Sequence, residues 1–192
     1  MRFKIFKFKS VTSTNDVAIN LIKKKKRECG CIVADRQTKG RGTNGKKWIS
    51  ERGNLFTTIF FHLKDSYPPF NEFAIVNPVI ISKVIQKYCD KKNIAFKWPN
   101  DILVNKKKIC GILQEHIIFN SKKFLIVGIG LNVISNPSIK DKYMATNIFS
   151  ETKKNLTTSE IVKLIILSYK NFFYDLQEYD YLSFKKKVKL IK

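Results

Sequence analysis

A glycine-rich basic loop organises the chain, Lys39-Gly40-Arg41-Gly42-Thr43-Asn44-Gly45-Lys46-Lys47-Trp48. It holds three of the eight glycines and four cations, and it ends on an indole. Glycine reaches positive φ without a Cβ penalty, so such a loop can turn its backbone N–H groups toward an anion. Arg41 adds a planar charged donor, and Trp48 offers a flat face for an aromatic ring. The composition indicates a phosphate or nucleotide site, although a solvated surface loop is an equal alternative on these residues alone.

The spacing of the loop does not fit the two commonest phosphate-binding loops. It has no G-x-x-x-x-G-K-[ST] pattern, and its G-x-G lacks the third glycine of a dinucleotide-binding turn. The remaining sequence therefore has to distinguish a ligand site from a surface loop.

Length and composition predict one domain with a sizeable core, since the chain has 192 residues and 44% of them are hydrophobic. The sequence has no run of eighteen apolar residues, and its N-terminus is charged. We therefore expect a cytoplasmic protein without a membrane span or signal peptide. Four cysteines, at positions 29, 31, 89 and 110, form no C-x-x-C pair, and only two histidines accompany them. We therefore expect reduced thiols and no metal site.

The formal charge of +22 raises the question of nucleic acid. Only five of the 37 basic residues are arginines, although arginine is the preferred residue for bidentate phosphate and guanine contacts. The lysine clusters at 23–26, 106–108 and 185–187 are scattered along the chain. This pattern favours a solvated basic surface over a specific nucleic-acid interface, and such a surface would steer an acidic protein partner toward the molecule.

Apolar periodicity and turn residues predict alternating strands and helices. We expect strands over 3–8, 31–35, 54–63, 109–115 and 124–133, two more strands within 94–104 on either side of Pro99-Asn100-Asp101, helices after Ser13, over 71–91 and over 161–179, and a loop over 133–156. Thr157-x-x-Glu160 is a capping-box pattern. The predicted fold class is α+β, a mixed and largely antiparallel sheet backed by helices.

Polar residues gather where the predicted strands end or turn, and they line one cleft if those ends converge. These residues are Ser13, Thr14, Gln37, Arg41, Asn100, Asp101, Lys108 and Asn132. Ser13 or Thr14 is expected to cap the first helix, whose free N–H groups also suit a small polar ligand. His62 is interpreted as a strand-end or core histidine, because no second metal-type residue lies near it.

Five motifs follow one another in a recognisable order. They are Ser13-Thr14-Asn15, Gln37 with Gly40-Arg41-Gly42-x-x-Gly45-x-x-Trp48, Lys97-Trp98-Pro99-Asn100-Asp101, Lys108-x-x-Gly111-Ile112-Leu113 and Gly128-x-Gly130-x-Asn132. This series resembles the catalytic domain of biotin protein ligase (biotin–[acetyl-CoA-carboxylase] ligase) and spans about residues 10 to 190. The resemblance implies the class II aminoacyl-tRNA synthetase-like fold of the biotin and lipoate ligases.

The resemblance also implies an activity. An ATP-dependent ligase of this family activates biotin as biotinyl-5′-AMP and transfers it to a lysine of a biotin carboxyl carrier protein, with Mg²⁺ as the metal cofactor. The alternatives are a lipoate ligase or acyl-carrier transferase of the same superfamily, a degenerate ligase that binds biotin without turnover, and a basic nucleic-acid-binding protein. We expect no specific nucleic acid and no membrane as partners, and a homodimer is allowed.

Each site residue receives its role from the resemblance. Biotin's ureido ring is polar in an otherwise apolar ligand, so a few hydroxyls and an amide should fix it. The resemblance assigns the ring to Ser13, Thr14 and Gln37, with the backbone of Gly111 closing the pocket. Lys108 would neutralise the biotin carboxylate and the α-phosphate as their bond forms.

The remaining roles concern the adenylate and the acceptor. Arg41 would hold the carboxyl or phosphate from the loop side, and Asp101 would orient or deprotonate the carrier lysine. Lys97 would meet phosphate, and Trp48 and Asn132 would contact the adenylate. The other expected binding residues are Asn15, Gly40, Gly42, Thr43 and Asn100.

Two departures from the family pattern carry expectations of their own. Many relatives have an arginine where Thr43 stands, and that arginine helps retain the adenylate, so a leakier intermediate is expected here. The sequence ends at 187–192, about where the small C-terminal barrel of the family begins. We therefore expect a single catalytic domain over 1–192, with the barrel absent or truncated, no N-terminal DNA-binding domain and no role in transcription.

Overall fold

The computed structural model describes residues 1–137 and 144–188. Its strands and helices, in chain order, are β1 (Ile5–Phe8), α1 (Thr14–Lys25), β2 (Cys29–Ala34), β3 (Leu55–His62), α2 (Phe73–Ile85), β4 (Ile94–Lys97), β5 (Asp101–Val104), β6 (Lys107–Phe119), β7 (Lys122–Leu131), α3 (Ile148–Thr152), α4 (Thr158–Tyr174) and α5 (Tyr181–Lys186). Within these described ranges, no helix has both the length and the apolar character needed to cross a bilayer.

The seven strands form one sheet in the order β1-β2-β3-β7-β6-β5-β4. Only the β1–β2 pair is parallel, and every other neighbouring pair is antiparallel. This arrangement confirms the predicted mixed, largely antiparallel sheet.

Helices cover both faces of the sheet. Adjacent residues of a strand point to opposite sides, so an apolar strand presents a hydrophobic surface on each face. Phe61 of β3 faces the larger core, where it packs against Phe73 of α2 with ring centroids 5.7 Å apart. Phe60, its neighbour, faces α1 and packs in a smaller cluster with Ala18 and Ile22. Strand β3 is therefore buried on both sides, which explains why its sequence is apolar almost throughout.

A buried chain of hydrogen bonds ties β6 to the two long helices. The Tyr169 hydroxyl of α4 donates to Asn77 Oδ1 of α2 at 2.8 Å, and Asn77 Nδ2 donates to Gln114 Oε1 of β6 at 2.8 Å. Gln114 Nε2 in turn donates to the Phe70 carbonyl at 2.8 Å. Because each polar group in this chain has a partner, the network fixes β6 against the helices without an unpaired buried group.

The predicted elements differ from the observed ones mainly in their bounds. Strand β6 continues to Phe119, because Asn120 and Ser121 adopt positive φ and form a two-residue hairpin turn into β7. The segment predicted as a loop over 133–156 contains the short helix α3, and its part over 138–143 lies outside the described residues. The capping box at Thr157 and Glu160 is confirmed at the start of α4.

Candidate active site

All the predicted polar residues except Asn132 line one cleft of ≈ 270 Å³. The glycine loop, the N-terminus of α1, the turn between β4 and β5 and the middle of β6 and β7 surround it. The predicted site residues that line it are Ser13, Thr14, Asn15, Gln37, Arg41, Gly42, Thr43, Trp48, Lys97, Asn100, Asp101, Lys108 and Gly111. Segments far apart in sequence thus form one site, as the motif series predicts.

Two glycines of the sheet seat the tryptophan of the loop. Gly111 of β6 and Gly130 of β7 lie opposite each other in register. A Cβ at Gly111 would lie 2.5 Å from the Trp48 ring, and a Cβ at Gly130 would lie 2.3 Å from it. The indole therefore rests directly on the backbone of the sheet, at a separation that no side chain would permit. Its Nε1 is buried and has no hydrogen-bond partner among the described residues, so it can donate to a bound ligand.

The N-terminus of α1 is capped from outside the helix. Gln37 Oε1 accepts from the Thr14 backbone N–H at 2.8 Å and from the Thr14 hydroxyl at 3.0 Å. Ser13 occupies the N-cap position, but its side chain makes no capping hydrogen bond. Ser13 is thus the N-cap residue, as expected, but Gln37 supplies the acceptor in place of the Ser13 hydroxyl. The Ser13 hydroxyl is left to face the cleft.

A β-bulge explains the three-residue spacing of Lys108 and Gly111. The β5–β6 register shifts between Ile102 and Leu103, so one extra residue is accommodated in β6. Ile109 and Cys110, although consecutive, both face the larger core, while Lys108 and Gly111 both line the cleft. A regular strand would send two residues three apart to opposite faces. The bulge therefore turns the lysine into the site.

Lys108 lies between a carboxylate and the indole. Its Nζ is 2.9 Å from Asp101 Oδ1 and 5.4 Å from the centroid of the Trp48 ring. The side chains of Lys108 and Asp101 are only 19% and 9% exposed. A cation held at a fixed point in a poorly hydrated cleft can stabilise negative charge that develops beside it.

Arg41 has partners other than those expected for it. Its guanidinium donates to both carboxylate oxygens of Glu115 at 2.7 and 2.9 Å and to Asp16 Oδ1 at 2.8 Å. The hydrogen bond to Glu115, followed by the charge of both carboxylates, raises the pKa of Arg41. In this structure Arg41 therefore binds the protein's own acids, and its expected contact with substrate stays a prediction.

Asn15 also has a structural partner at each end of its amide. Its Oδ1 accepts from the Thr58 hydroxyl at 2.7 Å, and its Nδ2 donates to Glu115 Oε2 at 2.7 Å. The side chain lines the cleft but supports Glu115. Sequence reasoning missed Glu115, although strand alternation places it on the same face of β6 as Gly111 and Leu113.

Two of the expected binding residues do not line the cleft. Asn132 is 2% exposed, and its Nδ2 donates to the Thr146 carbonyl at 3.0 Å. Its amide thus fixes the segment before α3, and its expected contact with an adenylate stays a prediction. Gly40 closes the base of the loop, where its carbonyl accepts from the Trp48 N–H at 2.9 Å.

The rim of the cleft is basic and carries a second tryptophan. Trp98 is 57% exposed, and Asn100 Nδ2 donates to the Thr43 hydroxyl at 3.4 Å, which joins the β4–β5 turn to the loop. Lys46 and Lys47 also line the cleft and were not among the expected site residues. Among the described residues, the lining contains the carboxylate of Asp101 and five cationic side chains, namely Arg41, Lys46, Lys47, Lys97 and Lys108. This excess of positive charge suits a polyanionic ligand.

Comparison with known proteins gives a consistent picture. The model of the biotin/lipoate A/B protein ligase family matches residues 7–132. Biotin–protein ligase 2 of Arabidopsis thaliana is 31% identical over 155 residues, which are 73% of this chain and 44% of that protein. The bifunctional ligase/repressor BirA of Bacillus subtilis is 26% identical over 182 residues, 91% of this chain and 55% of that protein. The chain thus spans about half the length of these curated relatives.

Solved structures share the fold over almost the whole chain. The biotin protein ligase of Leishmania major in complex with biotin has a TM-score of 0.83 and 26% identity, covering 100% of this chain and 85% of that chain. The biotin protein ligase of Aquifex aeolicus in complex with biotin and ATP has a TM-score of 0.79 and 27% identity, covering 98% of this chain and 78% of that chain.

Proposed function

The chain belongs to the biotin/lipoate A/B protein ligase family, and from this membership we propose that it is an ATP-dependent biotin protein ligase. One observation carries the proposal. Lys108 lies in the same cleft as Ser13, Thr14, Gln37 and the glycine loop. A cation beside a small set of polar groups and an indole suits an apolar ligand with one polar ring and one carboxylate. Names of relatives and structural neighbours support biotin over lipoate.

In the first step, the biotin carboxylate attacks the α-phosphorus of ATP. The bond from that phosphorus to the bridging oxygen of the β-phosphate breaks, and pyrophosphate leaves. Lys108 neutralises charge on the carboxylate and the α-phosphate, a contribution on the order of 3 kcal/mol for one fixed donor in a desolvated site. Ser13 and Thr14 contribute hydroxyls and Gln37 contributes its amide NH₂ to the ureido ring. Trp48 Nε1 supplies a further donor, because it has no partner among the described residues.

In the second step, the neutral ε-amine of a carrier lysine attacks the acyl carbon of biotinyl-5′-AMP. An amide forms, AMP leaves and the amine loses a proton. A lysine with its ordinary pKa of ~10.4 is mostly protonated at neutral pH, so a nearby carboxylate helps to deprotonate it. Among the described residues, Asp101 is the acid that lines the cleft, and its Oδ1 contacts Lys108 Nζ. We assign it the role of orienting or deprotonating the acceptor.

Mg²⁺ fits this site as an ion that binds together with the nucleotide. Within residues 1–137 and 144–188, no three His, Cys, Asp or Glu side chains gather into a metal site. Nucleotide-bound Mg²⁺ is usually held by phosphate oxygens, waters and one or two carboxylates, and Asp101 provides a carboxylate to the described part of the cleft. Bound there, the metal would neutralise charge on the departing pyrophosphate. The carrier protein, the cytoplasmic location and a homodimer stay predictions.

Pyrophosphate exchange into ATP tests the first step. We expect biotin to support exchange and lipoate and octanoate to give only background. Lys108→Ala should reduce exchange at least about a hundredfold, as expected for removal of one electrostatic donor. Lys107→Ala is the matched control, because Lys107 is the adjacent, exposed lysine and does not line the cleft.

Two outcomes would contradict the proposal. Exchange driven equally well by lipoate would remove the biotin assignment. Exchange lowered to the same extent by Lys107→Ala and Lys108→Ala would remove Lys108 from its role. A circular dichroism spectrum of each variant checks that the fold survives.

A further inference from the structure

Three charged side chains from separate parts of the chain meet beside the cleft. Arg41 comes from the glycine loop, Asp16 from the first turn of α1 and Glu115 from β6. Arg41 is bound by Glu115 through two parallel hydrogen bonds and by Asp16 through a third. Paired contacts of this kind fix the plane of a guanidinium and are stronger than a single ion contact. We name these three residues the Arg41 latch.

Buried side chains hold Glu115, one of the two acids of the Arg41 latch, in place. Asn15 Nδ2 donates to Glu115 Oε2 at 2.7 Å, and Asn15 is held by the Thr58 hydroxyl at 2.7 Å. Asn15 is 2% exposed. Gly128 provides the room, since a Cβ there would lie 2.5 Å from Asn15 Oδ1. Groups of β3, β7 and α1 therefore position the Glu115 carboxylate that Arg41 contacts.

The latch holds the first part of the loop, one residue beyond Gly40. At the base of the loop, the Trp48 N–H donates to the Gly40 carbonyl at 2.9 Å, and Lys39 N donates to Thr12 O at 2.8 Å. Arg41 adds an anchor to both α1 and β6. Three of its five N–H donors are engaged with carboxylates in this arrangement. Few are left for a substrate phosphate.

We propose that Glu115 is a positioning residue that fastens the glycine loop over the cleft through Arg41, and so sets how long an acyl-adenylate stays bound. The part of this inference that concerns the adenylate rests on the proposed function. The part that concerns the position of the loop does not. Arg41 thereby acts on the site through the position of the loop and of Trp48. This role requires no direct contact between Arg41 and phosphate.

Limited proteolysis tests the latch without any ligand. The loop carries the trypsin sites Lys39, Arg41, Lys46 and Lys47, and Glu115→Gln keeps all of them while it removes the charge of the acid. We expect cleavage after Lys46 and Lys47, identified by mass spectrometry, to become at least about fivefold faster, because ion pairs of partly exposed groups contribute only modestly. Glu28→Gln is the matched control, since Glu28 pairs with Lys122 far from the loop.

Equal cleavage rates in Glu115→Gln and the native protein would overturn the latch. Asp16→Asn, which removes the charge of the second acid, provides a second test if Glu115→Gln does not fold. We expect it to accelerate cleavage by a smaller factor, and the absence of any change in both variants contradicts the proposal.

The dissociation rate of biotinyl-5′-AMP separates a latch from a direct contact. If Arg41 acts through Glu115, then Arg41→Ala, Glu115→Gln and the double variant should release the adenylate at a similar, roughly tenfold higher rate, because all three break one unit. If Arg41 binds the phosphate directly, Arg41→Ala will be far more damaging than Glu115→Gln, and the proposal fails. A protein that does not bind biotinyl-5′-AMP at all contradicts the proposed function, while the trypsin experiment still reports on the latch.

Discussion

At the scale of single residues, close backbone approach decides the shape of the site. Gly111 and Gly130 leave the surface of the sheet bare, and Trp48 covers it. The indole is thus a wall of the cleft whose position depends on two missing side chains. The loop and the sheet depend on each other, because a side chain added at either glycine would displace the indole of the loop.

Gly130→Ala should weaken biotin binding by a factor between about 5 and about 100. Its Cβ would meet the Trp48 ring at 2.3 Å, and overpacking of this kind costs ~1–3 kcal/mol, where 1.4 kcal/mol is a factor of ten in affinity. Isothermal titration calorimetry with biotin measures the change.

Gly42→Ala, in the same loop, should weaken biotin binding less than Gly130→Ala does. A Cβ at Gly42 would lie 3.3 Å from the Lys46 carbonyl oxygen, and the backbone there is extended with φ of −112°, so the strain is milder. Native affinity in Gly130→Ala would show that the indole can leave its seat without loss, against our interpretation.

The motif residues of the site could be predicted from the sequence, but their supporting partners could not. Lys108, Gln37 and Trp48 stand in short patterns whose residue types match the chemistry. Glu115 and Asp16 acquire their role only from tertiary structure, since 99 positions separate them and nothing local marks either as a partner of Arg41. Arg41 was consequently given a substrate role that its observed hydrogen bonds do not show.

At the scale of elements, the strands and long helices follow from apolar patterning, whereas irregularities do not. The bulge in β6 is the clearest example. The sequence shows Lys108 and Gly111 three positions apart, and a regular strand would place them on opposite faces. Only the register with β5 shows that both face the cleft. Similarly, α3 has five residues, too few for a helical period to be recognised.

The capping box of α4 makes stability depend on acid pH. Thr157 Oγ1 accepts from the Glu160 N–H at 3.2 Å, and the Glu160 carboxylate accepts from the Thr157 hydroxyl at 2.7 Å. That second hydrogen bond is the main reason that the pKa of Glu160 lies below its ordinary value of 4.5. A lowered pKa means that the stabilisation is complete above the unfolded value and is lost as pH falls through the folded value.

We expect Glu160→Gln to be less stable than the native protein at neutral pH and equally stable once the pH is below both pKa values. Urea unfolding at the two pH values measures the difference. Glu178→Gln changes an exposed site beyond the end of α4. Its free energy of unfolding should equal that of the native protein at both pH values. A stability gap that persists in acid would mean that the Glu160 charge is not responsible.

At the scale of the whole molecule, charge is the dominant feature. The formal charge is +22, and the ion pairs among the described residues are few and partly exposed, apart from Lys108 with Asp101. Pairs at the surface contribute little, whereas a large net charge destabilises the compact state by self-repulsion. The lysines of the exterior therefore oppose folding at low ionic strength.

Added salt should raise the melting temperature. Between roughly 0.01 M and 0.1 M sodium chloride the screening length falls from about 30 to about 10 Å, so repulsion is reduced across the surface. We expect an increase of about 3 °C, equivalent to about 1 kcal/mol for a domain of this size. Differential scanning fluorimetry with an external dye gives the measurement, and sucrose at equal osmolality is the control. A melting temperature that falls with salt would indicate that attractive pairs outweigh the repulsion.

The placement of the two indoles has a practical consequence. The chain has two tryptophans, and both Trp48 and Trp98 line the same cleft, one as its wall and one at its mouth. Ultraviolet emission excited in the indole band therefore arises entirely from the site. The protein carries its own optical reporter of occupancy, and a titration can be followed without a label attached anywhere else in the molecule.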